Sequence, residues 1–236
     1  MYNTNISKEI LCWYDNNKRD LPWRKTNDPY KIWLSEVMLQ QTKVETVIPY
    51  YNNWLKNYKT IQSVAQANLD ELLKIWEGMG YYSRCKNFYH AAKEIIYKYN
   101  GTIPNQFDVF KSLPGVGDYI AGAVMSIAFN HPHPSIDGNH RRVISRILGI
   151  KNVSRYNKNR IYNYLKKIVE IDRPGDLNQA IMDIGSTICK PKEVFCDFCP
   201  VQFSCKACVS SKPLEYPKKI YKKKIPTRNL AAALIE

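Results

Sequence analysis

Several features are missing from this sequence, and each absence removes a class of protein. No window approaches the ~20 uninterrupted apolar residues of a membrane-spanning helix, and the polar start over residues 1–8 lacks the apolar stretch of a secretory signal. No segment sustains the alternation of a strand, and there is no internal repeat or low-complexity segment. Acidic residues are in short supply: 21 Asp and Glu face 35 Lys and Arg, giving a formal charge of +14 over 236 residues with neutral histidines. Seven cysteines are an odd number for a disulfide framework. What is present, 44% hydrophobic and 24% charged residues, is a globular composition, long enough for one large domain or two small ones around a sizeable core. These features predict a soluble, intracellular protein.

The positive charge is not confined to one end. Residues 212–236 carry a net +5, which leaves +9 spread over residues 1–211. Solvated surface in a Lys- and Asn-rich chain is one account of the excess. A phosphate-binding surface, with affinity that falls steeply with salt, is the other.

Apolar residues recur at three- and four-residue intervals through 6–13, 32–39, 44–55, 69–76 and 88–97, the amphipathic helical period. Breaker clusters such as Asn27-Asp28-Pro29, Gly78-Met79-Gly80 and Asn100-Gly101 lie between them. A short helix over 107–113 runs into Pro114-Gly115-Val116-Gly117, and an Ala- and Gly-rich apolar segment over 119–129 follows, which implies two helices pinched together by a glycine loop. Further helices are expected from Asp137 to Leu148 and over 159–170 and 176–189. The fold class is all-α. From Ser210 the chain reads as a Pro/Lys linker, and its apolar run at 229–235 is either the first strand of a further domain or a frayed helical tail.

Five of the seven cysteines fall between positions 189 and 208. Cys12 and Cys85 stand alone in helical sequence and are expected to be buried reduced thiols. Cys189, Cys196, Cys199 and Cys205 have the spacing C-x6-C-x2-C-x5-C, four thiolates within one short loop that can wrap a single metal centre. The spacing lacks the paired C-x2-C arrangement of a zinc ribbon, which tilts the choice toward a [4Fe–4S] cluster; Cys208 is left as a spare.

Leu113-Pro114-Gly115-Val116-Gly117, Ile136-Asp137-Gly138-Asn139 and this cysteine spacing together resemble the helix-hairpin-helix, iron–sulfur DNA glycosylase superfamily that includes endonuclease III. Within it, the stretch from Trp33 through Glu36, Gln40 and Gln41 to Thr42, with Gly78-Met79-Gly80-Tyr81-Tyr82, is similar to the MutY type, adenine glycosylases acting on mispairs with guanine or 8-oxoguanine. The likeness runs from about Trp13 to Cys205. It implies two helical lobes with the active site in the cleft between them. A six-helix lobe carrying the hairpin would span 30–133, and an iron–sulfur lobe would combine 1–29 with 134–211. Residues 212–236 would be a basic linker and the start of a Nudix-like domain. The resemblance further implies a monofunctional adenine-specific DNA glycosylase of base excision repair, a cytoplasmic, nucleoid-associated monomer whose partner is double-stranded DNA containing A:8-oxoguanine or A:G mispairs, with no membrane association.

The chemistry of such a reaction asks for particular groups. Breaking an N-glycosidic bond needs an acid for the leaving base and a negative charge for the developing oxocarbenium ion. Glu36 lies among Ile32, Trp33, Leu34, Val37, Met38 and Leu39, and apolar surroundings keep a carboxyl protonated; a Glu in such a helix is otherwise paired or exposed. The resemblance makes Glu36 the residue that protonates adenine and later handles the water. Asp137 precedes a helix start, where a capping role and an ionised catalytic role are compatible; the resemblance makes it the essential aspartate, with Asn139 beside it. Endonuclease III-like enzymes carry a Schiff-base lysine where this chain has Tyr119. A phenol cannot form a Schiff base, so water is expected to be the final nucleophile, with Tyr119 supporting the cation or merely packing on the hairpin.

The remaining sites concern the duplex. Gly115 and Gly117 let the backbone approach closely, and the helix starting near Asp118 presents free N–H groups to a phosphate, so Leu113, Gly115, Val116 and Gly117 form the expected anchor. A bare Pro-Gly-x-Gly turn is otherwise a helix connector. By resemblance, Gln40, Gln41 and Tyr81 wedge into the duplex once adenosine is flipped out, Trp23 and Arg24 line the adenine pocket, and Asp183 sits near the base. The rivals are an endonuclease III-like pyrimidine or thymine-mismatch glycosylase, and a non-catalytic DNA-binding module.

Overall fold

A computed structural model of the chain describes residues 3–218 apart from 153 and 170, so the expected apolar run at 229–235 lies outside the described residues. The helices follow one another as α1 (Asn3–Asn17), α2 (Pro29–Leu39), α3 (Val44–Asn57), α4 (Ile61–Gln66), α5 (Leu69–Trp76), α6 (Ser83–Tyr99), α7 (Phe107–Lys111), α8 (Asp118–Phe129), α9 (Gly138–Leu148), α10 (Arg155–Ile168), α11 (Pro174–Thr187) and α12 (Lys206–Val209). Among the described residues the only β pairing is an isolated bridge between Cys189 and Val194. The chain is all-α, as its periodicity requires.

Helix starts follow local capping chemistry. Asp28 accepts a hydrogen bond from the Tyr30 N–H and Pro29 opens α2, the residue types that satisfy and pre-set a first turn. Ser154 accepts from Asn157 N–H, which starts α10 ahead of the expected residue 159. Pro174 likewise starts α11 ahead of 176, and that helix ends at Thr187 rather than 189. The six-residue α4 was not expected: it rests on a reciprocal Thr60–Ser63 capping box and is too short for an apolar period to reveal it.

Buried apolar side chains fall into two clusters. The first is built from α2 to α8 around Trp33, Trp54, Trp76, Phe88 and Phe110, with the Trp33 and Phe88 ring centroids 4.5 Å apart. Eight of the eleven residues of α2 are buried, so this helix runs through the interior rather than along a surface. The second cluster joins α1 to α9, α10, α11 and the cysteine segment around Ile10, Tyr14, Ile144, Leu165 and Ile181. Leu21 and Trp23 belong to the first cluster although they precede residue 30, because the 3-10 turn Pro22–Arg24 tucks Trp23 edge-on against Tyr51. Cys85 is buried as expected, but Cys12 is exposed. Helix α1 turns Ile6, Ile10 and Tyr14 into the core, and Cys12 falls off that stripe.

Helices α8 and α11 pack against each other and carry the two clusters side by side. The fully buried Asn178 of α11 pins this junction. Its amide donates to Ser126 Oγ and the His133 carbonyl, both at 2.9 Å, and its oxygen accepts from the Ser135 N–H at 3.2 Å. Replacing such a satisfied network with one missing partner would leave several buried groups unpaired.

Candidate active site

Glu36 lies midway along α2, 4% exposed. The hydroxyl of Tyr119, from the first turn of α8, donates to Glu36 Oε2 at 2.5 Å. Burial pushes the Glu36 carboxyl up to about 7, against the opposing effect of the Tyr119 bond; the negative charge of Asp137 adds to the rise and the Arg24 guanidinium opposes it. Burial and the Glu36 charge hold the Tyr119 phenol well above its ordinary range, so it is a hydrogen-bond donor throughout the neutral region. Oε2 is therefore occupied and Oε1 is left to exchange a proton with a ligand.

Asp137 behaves in the opposite way. Burial alone would raise its carboxyl, but the His140 ring, the His140 amide and the Asn139 side chain hold it below the usual carboxylate range. Oδ1 accepts from His140 N–H at 2.7 Å and lies 2.8 Å from His140 Nδ1, while Oδ2 accepts from Asn139 Nδ2 at 2.8 Å. The cap of α9 also places the carboxylate at the positive end of the helix. Two carboxyls whose surroundings drive them apart, one toward the acid and one toward the anion, are the pattern of paired acid and electrostatic stabiliser.

Arg19, Leu21, Trp23, Arg24, Glu36, Tyr119, Gln179 and Met182 are among the residues lining a cavity of about 40 Å³. That is room for no more than a few water molecules, so a purine would have to part these walls. Tyr119 is also a wall of a larger groove of about 540 Å³ that continues past Ile136, Arg141, Lys158 and Tyr162. Asp183 is fully buried and is not on the small cavity's wall. Its carboxylate takes a bidentate pair from Arg24, at 2.5 and 2.9 Å, and the Arg19 Nε–H at 2.6 Å. Asp183 thus orients the arginines that face the cavity, a fork geometry that a lysine could not replace. Arg19 carried no sequence signal of its own; only its partner did.

The expected wedge residues converge on one guanidinium. Gln40 caps the C-terminus of α2, and the neighbouring Gln41 and Tyr81 both adopt left-handed backbone conformations, φ 59° and 49°, that non-glycine residues rarely hold. Arg84 lies between them: Nη1 donates to the carbonyls of Val37, Met38 and Gln40, Nη2 to Thr42 Oγ1 and the Met79 and Gly80 carbonyls. Its plane also lies against the rings of Trp76 and Tyr81. Tyr81 itself is 55% exposed, while Gln40 is half-buried. Arg84 was not among the expected site residues, since an arginine at a helix start has no signal apart from its contacts.

In the hairpin loop the two glycines differ. Gly115 has φ +76°, and a Cβ there would lie 2.7 Å from the Asn87 Cβ. Gly117 has an ordinary φ of −99° and nothing within 4 Å of where a Cβ would sit. Leu113 and Val116 are buried in the first core, so their side chains hold the loop and only their backbone can face a ligand.

The cysteine segment follows α11. Among the described residues no group of three or more His, Cys, Asp or Glu side chains stands ready to hold a metal ion. Its donor set nonetheless fits an iron–sulfur centre: Cys189, Cys196, Cys199 and Cys205 are all free thiols close enough for their charges to influence one another. Burial pushes Cys196 up to about 11 and Cys199 to about 12, so a cationic centre would be needed to keep them as thiolates. Arg146 Nη1 lies 3.1 Å from Cys189 Sγ, a donor suited to a ligating sulfur. Arg142 ties this segment to the site: it donates to the Cys189 and Gly185 carbonyls and to Asn139 Oδ1, each at 2.7 Å.

The family described as "HhH-GPD superfamily base excision DNA repair protein" matches residues 34–185. An adenine DNA glycosylase of Buchnera aphidicola subsp. Acyrthosiphon pisum is 40% identical over 229 residues, covering 94% of this chain and 65% of that protein. An adenine DNA glycosylase of Rattus norvegicus is 41% identical over 215 residues, covering 86% and 42%. The chain therefore spans about two fifths to just under two thirds of the length of these relatives. Among solved structures, that of a thermostable thymine-DNA glycosylase superposes with a TM-score of 0.80 at 28% identity, covering 87% of this chain and 95% of the other.

Proposed function

The chain belongs to the HhH-GPD superfamily of base excision DNA repair proteins, and from that premise we propose that it is a monofunctional DNA glycosylase that hydrolyses the N-glycosidic bond of adenine mispaired with 8-oxoguanine or guanine in double-stranded DNA. The observation that carries this reading is the opposed pair: Glu36 raised to about 7 by burial and bonded by Tyr119, and Asp137 held low at the cap of α9. The curated relatives support adenine as the base.

In this reading the hairpin loop and the first turn of α8 hold the phosphate backbone while Gln40, Gln41 and Tyr81 occupy the gap left by the flipped nucleotide. The base parts the cavity walls at Trp23 and Arg24, stacking and accepting hydrogen bonds there. Glu36 Oε1 gives its proton to the leaving adenine, and the C–N bond breaks with its electrons staying on the base. The sugar cation forms against the ionised Asp137, with Tyr119 on the same side, and Glu36, now a carboxylate, takes a proton from the attacking water. Without a lysine at 119, no Schiff base to the DNA is formed, and water is the final nucleophile.

Cys189, Cys196, Cys199 and Cys205 are proposed to hold a [4Fe–4S] cluster. When bound, it would order the segment after α11 for DNA contact rather than take part in hydrolysis. We take residues 30–133 and the combination of 1–29 with 134–211 as the two lobes, with the first core reaching back to Leu21. No described helix is long and apolar enough to cross a membrane. The protein is proposed to act as a monomer in the cytoplasm.

The likeness to a thymine-DNA glycosylase keeps a thymine-mismatch activity as the second reading. A single-turnover assay separates the two, using duplexes with A opposite 8-oxoguanine, A opposite G, T opposite G, and thymine glycol, with and without hot alkali. Adenine release that needs alkali for strand scission is expected. Release of pyrimidines, or breaks without alkali, would overturn the assignment.

A further inference from the structure

His140 lies in the first turn of α9 with its ring fully buried, and its Nε2 has no hydrogen-bond partner among the described residues. Natural folds keep few such atoms, and each one weakens the fold unless something offsets it. Here the offset is at the other nitrogen. Nδ1 lies 2.8 Å from Asp137 Oδ1. An ionised carboxylate only accepts, so Nδ1 carries the proton of that contact.

This arrangement has a consequence for the two carboxylate oxygens. Oδ1 accepts twice from one residue, from the amide and the ring of His140, and its lone pairs are filled. Oδ2 accepts once, from Asn139, and keeps an open position. The ring therefore steadies the anion from the Oδ1 side alone.

We propose that His140 is a positioning residue for the reaction, which clamps Asp137 by its Oδ1 so that the negative charge is offered to the sugar through Oδ2. This rests on the glycosylase reading above. The chain thereby gives up fold stability at Nε2 to fix the orientation of one catalytic oxygen, a trade familiar at functional sites.

The test uses the full chain with two variants, read by single-turnover adenine release, by duplex affinity and by melting temperature. His140→Leu keeps the volume and removes both ring nitrogens; His140→Asn puts an amide donor where Nδ1 was. Expected for His140→Leu is an excision rate constant lower by about tenfold or more, with affinity for the duplex within about twofold of wild type. Its melting temperature should be equal or higher, because the unpaired nitrogen is gone. His140→Asn should recover the rate to within about threefold. A leucine variant with the wild-type rate overturns the proposal, as does a rate loss that tracks lost melting temperature or affinity, or that His140→Asn does not recover. A wild type that releases no adenine would sink the glycosylase reading instead. In that event, ¹⁵N shifts of the imidazole in the DNA-free protein still decide the clamp: a protonated Nδ1 supports it, and a bare Nδ1 overturns it.

Discussion

The hydroxyl of Tyr119 rests on Oε2 of Glu36 at 2.5 Å, although the two residues are 83 positions apart in the chain. One helix runs through the first core and the other begins at the hairpin loop, so this bond couples that loop to the buried carboxyl.

Glu36 must be protonated to act as an acid, and its carboxyl is raised to about 7. Adenine release should therefore be full on the acid side and fall about tenfold per pH unit above that value. Glu36→Gln should lower the rate by about a hundredfold or more on the acid side of that value, and the falling limb should be absent from its profile. Tyr119→Phe removes a bond that favours the anion, so the falling limb of the profile should move to higher pH. A limb that stays in place would separate Tyr119 from the acid.

The same shift acts on stability. The folded chain binds the Glu36 proton more tightly than an unfolded chain whose carboxyl lies at the ordinary 4.5. That contribution is fully present below about 4.5 and is lost as pH rises through about 7. Glu36→Gln does not titrate. Its stability relative to wild type should improve by about 3 kcal/mol across that window, as read by denaturant unfolding at a series of pH values.

Arg84 holds seven acceptors on two segments that would otherwise separate. Arg84→Lys cannot span both sets with one ammonium. A loss of about 2–4 kcal/mol is expected, together with weaker retention of mispaired over matched duplex as Gln41 and Tyr81 relax from their left-handed conformations. Thermal melting and competition binding would show both; an unchanged mismatch preference would mean that Arg84 supports the fold alone.

The two hairpin glycines should separate under substitution. Gly115→Ala strains a positive φ and meets Asn87, so it should destabilise the fold by about 1–3 kcal/mol. Gly117→Ala adds a methyl into open space, leaving melting unchanged while weakening duplex binding by about tenfold if a phosphate lies there. For the cysteine segment, Cys199→Ser should purify without iron or yellow-brown colour, whereas Cys208→Ser should keep both; a colourless wild type loaded with zinc would refute the cluster.

The helices, the hairpin and the cysteine loop were legible because each is a local pattern: an apolar period, a Pro-Gly-x-Gly break, a run of thiols. The cap at Asp137 was legible for the same reason. Glu36 could be read as an acid from its apolar neighbours in α2, since those neighbours are what bury it. Arg19, Arg84 and His140 were not legible. Their partners lie on other segments, or, for His140, the decisive fact is the absence of a partner at Nε2. Nor could the sequence tell that Cys12 faces solvent, that Leu113 and Val116 turn inward, or that Asp183 faces arginines rather than the cavity.

By itself, then, the sequence determined that the long segments with an apolar period are helical and which residues can donate, accept or ionise, because those properties belong to side chains and to spacings of three and four along the chain; the six-residue α4 is too short for such a period. Only the tertiary structure decided what each group becomes. A carboxyl's proton affinity depends on the dielectric and on the donors around it: for Glu36 the donor comes from α8, 83 residues away in the chain, while for Asp137 the local donors at the start of α9 act in a setting that only the packed fold buries.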